Sequence, residues 1–288
     1  MRWRGQRQSS NVEDRRGLRV TRGGLAGGGL GLIALMVIGM ALGVDPRLLI
    51  GGAQMMGAGA PAVEDTGPYQ ETAAEAETRE FLAVVLADTE DVWGALLAQP
   101  LGGYRQPRLV LFAGAVQSGC GFAEAAMGPF YCPPDERVFI DTSFFDDLAQ
   151  RLGAQGDFAR AYVVAHEIGH HVQNLLGTSG KVHELRQRYG GAEANQLSVR
   201  LELQADCYAG VWTHHAERMR GILEAGDVEE ALGAASAVGD DRLQRQAQGT
   251  VVPDSFTHGS SEQRMRWFRA GLDSGSMAAC DTFAADRV

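Results

Sequence analysis

Val163-Val164-Ala165-His166-Glu167-Ile168-Gly169-His170 is the stretch from which the rest of the chain is read. His166 and His170 stand four apart, so on an α-helix their imidazoles share one face and can share a metal ion. Glu167 follows the first histidine and would lie beside such an ion, where a carboxylate can take a proton from water. The flanks predict the helix. Phe158, Ala161, Ala165, Ile168, Val172 and Leu175 recur at the spacing of a buried apolar stripe, over 157–176 with an end near Gly177. The bland reading, an accidental match on an ordinary helix surface, is opposed by these apolar flanks.

A catalytic zinc site normally takes three protein ligands and keeps a fourth position for water. The longer pattern H-E-x-x-H-x-x-G-x-x-H is excluded, because Gln173 and Leu176 occupy its glycine and third histidine positions. Further on, Leu201-Glu202-Leu203-Gln204-Ala205-Asp206 lies in a helical pattern over 196–222, with Leu197, Leu201, Ala205, Tyr208 and Trp212 in one stripe. Glu202 and Asp206 are four apart on one face beside that stripe. Glu202 is the candidate third ligand, and Asp206 the acceptor for the free N–H of a ligand imidazole. Asp206 as the ligand itself is a smaller alternative, and two solvated helix charges are the bland one. Two histidines and a carboxylate suit Zn2+.

The 288 residues, 45% hydrophobic and 22% charged, allow one sizeable domain or two small ones. The net charge of −10 is uneven: seven arginines against Glu13 and Asp14 give residues 1–22 a charge of +5, leaving −15 for the remainder. An acidic main domain argues against a nucleic-acid partner. Gly23 to Val44 contains no charged residue, and its 22 residues are enough to cross roughly 30 Å of hydrocarbon. With the arginines on its N-terminal side, the positive-inside rule predicts 1–22 as a basic cytoplasmic arm, 23–44 as a transmembrane anchor, and the rest outside the cytoplasmic (inner) membrane. The long basic region and the lack of a clean A-x-A site favour an uncleaved anchor over a signal peptide. Gly24/Gly28, Gly27/Gly31 and Gly39/Gly43 have the spacing that allows a homo-oligomer through this span. Residues 45–70, rich in Gly and Pro, read as a linker, and 71–288 as the main domain.

Cys120, Cys132, Cys207 and Cys280 form an even set without C-x-x-C spacing, so an exported domain predicts two disulfides. Of three connectivities we take Cys120–Cys132, closing a Gly-rich loop, and Cys207–Cys280, pinning the C-terminus to the Glu202 helix. A helix is predicted over 71–98 and strands at 109–112 and 137–141. Residues 119–132 and 178–191 read as loops, the latter with a broken helix as the alternative. A helix is predicted over 227–248, and a last one capped by Ser260 and Gln263. The fold class is α+β, mainly helical, with a small sheet beside the metal-site helix and one transmembrane helix in front.

The combination of H-E-x-x-H with Glu202-Leu203-Gln204-Ala205-Asp206-Cys207-Tyr208-Ala209-Gly210 resembles the gluzincin metallopeptidases. More closely, the chain resembles the bacterial neutral zinc metallopeptidase family. The likeness rests also on Met1-Arg2-Trp3-Arg4-Gly5-Gln6-Arg7, on Ser118–Gly121 with Gly128–Pro133, and on His258-Gly259-Ser260-Ser261 with Arg264. It implies a membrane-anchored, zinc-dependent peptidase with a gluzincin-like domain. It also implies that His258 or Arg264 stabilises the charge that develops on the scissile carbonyl. The other reading of His258 is a loop histidine ahead of a helix cap.

The function read from the sequence is therefore hydrolysis of peptide or protein substrates. Zinc is held by His166, His170 and Glu202, Glu167 is the general base, and Asp206 orients a ligand. The alternative is a catalytically silent, zinc-stabilised envelope binding or assembly module. An intact Glu167 counts against it.

Overall fold

The computed structural model describes residues 1–21, 62–65, 67, 69–99 and 102–288. The described elements run β1 (Val12–Asp14), β2 (Leu18–Thr21), β3 (Ala62–Asp65), α1 (Ala73–Leu97), β4 (Arg108–Phe112), β5 (Ala115–Ser118), β6 (Gly121–Glu124), β7 (Phe130–Cys132), β8 (Arg137–Asp141), α2 (Phe144–Gln150), α3 (Asp157–Leu175), α4 (Thr178–Arg188), α5 (Gly191–Arg220), α6 (Asp227–Ala237), α7 (Asp240–Gln248) and α8 (Ser261–Ser274). This is a mainly helical α+β architecture with a small sheet.

The sheet has the order β1-β4-β8-β7. β1 and β8 run parallel to β4, and β7 runs antiparallel to β8 with Tyr131 opposite Val138. β4 is continuously apolar because both its faces are covered. Leu109 and Leu111 face the main helical core, whereas Val110 and Phe112 join Val116, Ala123, Cys132 and Phe139 in a smaller cluster on the other face. β7 closes the sheet on the side of α3, whose apolar stripe (Phe158, Ala161, Ala165, Ile168 and Val172) is fully buried.

α3 packs between α5 and α6, and α5 packs along α8. Glycines set how closely these helices approach. A Cβ on Gly169, between the two histidines of the motif, would lie 2.9 Å from the Ala205 carbonyl oxygen of α5. One on Gly271 of α8 would lie 1.9 Å from the Cys207 carbonyl oxygen, so α5 and α8 touch backbone to backbone there. The structure pairs Cys207 with Cys280 (Cα–Cα 5.5 Å) and Cys120 with Cys132 (Cα–Cα 5.8 Å). The first ties the C-terminal segment to α5, and the second joins the end of β7 to the loop before β6.

Two helical expectations change. Residues 178–188 form a regular helix. Lys181 and Glu184–Arg188 are good helix formers, and Val182 gives the segment one buried contact. The helix predicted over 227–248 breaks at Val238-Gly239, where a Cβ on Gly239 would meet the Ser261 nitrogen at 2.4 Å. The break lets the loop before α8 fold onto the start of α7. The loop predicted over 119–132 contains β6 and β7, both short and paired.

The N-terminal topology is corrected more deeply. Residues 1–21 are not a free cytoplasmic arm. Met1 and Trp3 are buried in the main core, and the Trp3 ring stands edge-on to Phe81 of α1 at 5.4 Å. The Met1 amine bonds Glu224 and Asp227 at 2.9 and 3.1 Å, and Trp3 Nε1 donates to Asp157. Three of the arginines reach carboxylates of the main domain: Arg4 pairs with Glu77, Arg7 with Glu90 and Asp91, and buried Arg16 with Glu71 as well as with Asp14. β1 is a strand of the central sheet. β2 pairs antiparallel with β3, placing Thr21 opposite Ala62. A single crossing at 23–44 would separate these two strands by a bilayer, so the single-pass arrangement with an extracytoplasmic domain does not hold. Among the described residues no helix is long and apolar enough to cross a membrane. The expected span 23–44, its G-x-x-x-G spacings and most of the 45–70 linker lie outside the described residues. The linker's end does not: residues 62–65 are strand β3.

Candidate metal centre

α3 and α5 bring together three side chains that the sequence keeps far apart. His166 and His170 project from the same face of α3, with ring centroids 4.7 Å apart. Glu202 reaches them from α5. Its Oε2 is 3.2 Å from His166 Nε2, and its Oε1 is 3.5 Å from His170 Nε2. One ligand atom from each residue lies within 4.8 Å of the others, the only such group among the described residues. The packing at Gly169 against Ala205 brings α3 this close to α5.

Each histidine is oriented through its other nitrogen. His166 Nδ1 lies 2.8 Å from Asp206 Oδ1. Asp206 is fully buried and also accepts from Tyr162 Oη and from Arg264 Nε and Nη2, the latter two at 2.8 and 2.9 Å. Burial pushes the Asp206 carboxyl upward, but Arg264 and His166 hold it down at about 2. Burial likewise works to lower His166, and Asp206 with Glu202 overcome it, raising the imidazole to about 9. For Glu202 burial is outweighed by His170 and His166, which hold the carboxyl well below its ordinary range. His170 Nδ1 lies 2.8 Å from Gln173 Oε1. All these arrangements leave Nε2 of both rings directed at Glu202.

The next histidine, His171, serves the scaffold. It is fully buried, and burial lowers its pKa, so the neutral ring donates from Nε2 to the Arg105 carbonyl (2.6 Å) and accepts from the Tyr131 hydroxyl (2.9 Å). Asn174 donates to the same hydroxyl, so α3 is fastened to β7 by two side chains.

The three candidate ligands line an open cleft of about 1330 Å³. Glu167 lines it next to His166, and Phe130 and Tyr131 of β7 form part of one wall. His258 lines it from the loop before α8. That loop is held by Asp240 at the start of α7, whose Oδ2 accepts the backbone N–H groups of Thr257 (2.7 Å), His258 (2.7 Å) and Gly259 (3.1 Å). Asp240 Oδ1 is 3.2 Å from His258 Nδ1. This bond raises the His258 pKa against the effect of burial, and Glu202 adds to the rise.

Of the sequence-predicted residues, His166, Glu167, His170, Glu202, His258 and Arg264 line this cleft, and Asp206 is buried behind His166. Tyr162, Gln173 and Asp240 were not found from sequence, because no motif marks them. Their relevance comes only from the atom each faces: Tyr162 the Asp206 carboxylate, Gln173 and Asp240 the Nδ1 atoms of His170 and His258. Tyr208 is a core residue, edge-on to Trp93 at 5.6 Å.

Residues 1–283 match the model of a family described as "Putative neutral zinc metallopeptidase". The chain belongs to this family. Among its relatives is the "Uncharacterized protein YpfJ" of Escherichia coli (strain K12), 49% identical over 294 aligned positions that cover 98% of this chain and 99% of the relative. An uncharacterized protein of Mycobacterium tuberculosis (strain H37Rv) is 47% identical over 204 positions, 67% of each chain. No solved structure matches the chain. The family match takes in residues 1–21, in keeping with their place in the core.

Proposed function

We propose that this family member hydrolyses peptide bonds in a zinc-dependent reaction at the cleft between α3 and α5. The observation that carries the reading is the convergence of His166 Nε2, His170 Nε2 and a Glu202 oxygen beside Glu167. The Nδ1 atom of each ring is already bound to Asp206 or Gln173. The donor set fits zinc. Two imidazole nitrogens, which give up their protons as the ion binds, and one carboxylate, with an open cleft instead of a fourth protein ligand, are what a catalytic ion requires. Zinc held there supplies a water made acidic near neutral pH and an electrophile for the scissile carbonyl.

The remaining steps belong to the chain. Glu167 accepts the proton of the attacking water and returns it to the leaving amine. His258, fixed through Nδ1 by Asp240, presents Nε2–H as a donor toward the carbonyl oxygen as that oxygen gains charge. Arg264 is not available for this task, since two of its three nitrogens are bound to the Asp206 carboxylate. It acts on Asp206, and through Asp206 on His166.

The test uses the purified full chain beside Glu167→Gln and Glu202→Ala. Metal analysis should find about one zinc per chain in the unaltered protein and in Glu167→Gln, and little in Glu202→Ala. Mass spectrometry of a mixed pool of unfolded peptides should show cleavage by the unaltered protein alone. Cleavage by Glu167→Gln would sink the mechanism. Zinc without cleavage in the unaltered protein would leave a zinc-stabilised binding module in its place.

A further inference from the structure

The two histidines of the centre are oriented by different chemistry. His166 meets a carboxylate whose charge is balanced by Arg264. His170 meets a neutral amide, that of Gln173, which is fully buried three residues further along α3. The orientation of this amide follows from its other partners. Gln173 Nε2 lies 2.6 Å from the Leu201 carbonyl oxygen and 3.2 Å from Gln204 Oε1. A carbonyl oxygen only accepts, so the Gln173 nitrogen must face Leu201 and its oxygen must face His170. That oxygen in turn only accepts. His170 Nδ1 therefore carries a proton, and the lone pair of the neutral ring is on Nε2, the atom that faces Glu202.

The same amide holds the third candidate ligand. Leu201 is the residue before Glu202, so the bond from Gln173 fixes the α5 backbone beside that carboxylate. Gln204 continues outward, donating to the Cys280 carbonyl at 3.0 Å, and Cys280 is bound to Cys207 of α5. A buried chain of amides thus runs from His170 to the disulfide-anchored C-terminal segment.

We propose that Gln173 is a positioning residue that builds the three-ligand site before metal arrives, by fixing the tautomer of His170 and pinning α3 to the backbone beside Glu202. The inference rests on the zinc reading above. An orienting partner of this kind changes metal affinity by about 10–100-fold when removed.

The experiment is zinc titration of the metal-free full chain against a chromogenic chelator, with no activity measurement. Gln173→Met has a similar size and neither accepts at His170 nor donates to Leu201. It should bind zinc about 10–100-fold more weakly. Gln173→Glu restores the acceptor without the donor and should recover part of that loss, the remainder being the share of the pin to Leu201. Gln204→Met removes the neighbouring amide but leaves the acceptor in place, and should bind zinc nearly as well as the unaltered protein. If Gln173→Met does not fold, judged by far-UV circular dichroism, Gln173→Asn withdraws the acceptor in its stead. Unchanged affinity on losing the acceptor would overturn the proposal. So would a loss in Gln173→Glu as large as in Gln173→Met, which would make Gln173 only an interhelical pin. Failure of the unaltered protein to bind zinc would overturn the zinc reading itself, an outcome distinct from either.

Discussion

The Asp206–Arg264 pair allows stability and metal binding to be separated. Asp206 is fully buried and Arg264 is 4% exposed, and two hydrogen bonds of 2.8 and 2.9 Å join them. Replacing Asp206 with Asn leaves one acceptor oxygen for Arg264, Tyr162 and His166 together, with the Arg264 charge uncompensated. Breaking such a buried pair from one side costs about 3–5 kcal/mol. Arg264→Met, which strands the carboxylate instead, should cost a similar amount. Replacing both residues by apolar ones of like size, Asp206→Leu with Arg264→Met, removes both charges. It should cost well below the sum of the two single changes. Zinc affinity should not follow that recovery. The double variant still lacks the acceptor at His166 Nδ1, so it should remain about 10–100-fold weaker than the unaltered protein. The assay is urea unfolding of the metal-free proteins with chelator present, which keeps metal binding out of the stability. A parallel zinc competition titration measures affinity. Single changes that each cost less than about 1 kcal/mol would refute the buried-pair account. A double variant that regains full zinc affinity would refute the role of Asp206 in orienting His166.

Trp3→Ala, measured by chemical unfolding, should destabilise the protein by about 3–5 kcal/mol, because Trp3 is a core residue packed on Phe81; a change near zero would return residues 1–21 to the status of a free arm. Gly169→Ala adds a Cβ that would stand 2.9 Å from the Ala205 carbonyl oxygen, so it should separate α3 from α5, cost about 1–3 kcal/mol and weaken zinc binding. Unchanged zinc affinity in that variant would dissociate the helix crossing from the centre. The His258 pKa is raised by Asp240 and Glu202 and lowered by burial and Arg264, so the charged donor persists above its ordinary pH range and is lost as pH rises through the raised value. Asp240→Asn lowers that value. The alkaline limb of the rate profile should move to lower pH, and a limb that stays in place would remove His258 from the reaction.

Much of the centre was legible in advance because it is built from helical spacing. His166 and His170, and then Glu202 and Asp206, are each four apart beside an apolar stripe, and a stripe at that spacing has one stable conformation and one buried face. β4 and β8 could be read from their continuous apolar runs. α4 could not, since its polar sequence carries a single buried side chain, Val182. The break in the helix predicted over 227–248 is invisible to periodicity, because the pattern is helical on both sides of Gly239. The break depends on Ser261, which lies 22 residues further on.

The N-terminal segment shows most clearly where such reading ends. Seven arginines and a following uncharged run have the composition of a membrane arm and anchor, and composition cannot show that Glu71, Glu90 and Asp91 stand ready as partners. By itself the sequence determined the helix that bears His166, Glu167 and His170, and the second helix with its carboxylate pair. Only the tertiary structure decided that Asp206 faces Nδ1 of His166 while Gln173 faces that of His170, that Arg264 is bound and His258 is held at the cleft by Asp240, and that residues 1–21 are part of the core. The reason is one of range: periodicity is set by neighbours within a turn or two of the same helix, whereas the partners of Asp206, Arg264 and the N-terminal arginines are set by packing between elements tens to hundreds of residues apart, and even Gln173, three residues from His170, has its amide turned by the Leu201 carbonyl of α5.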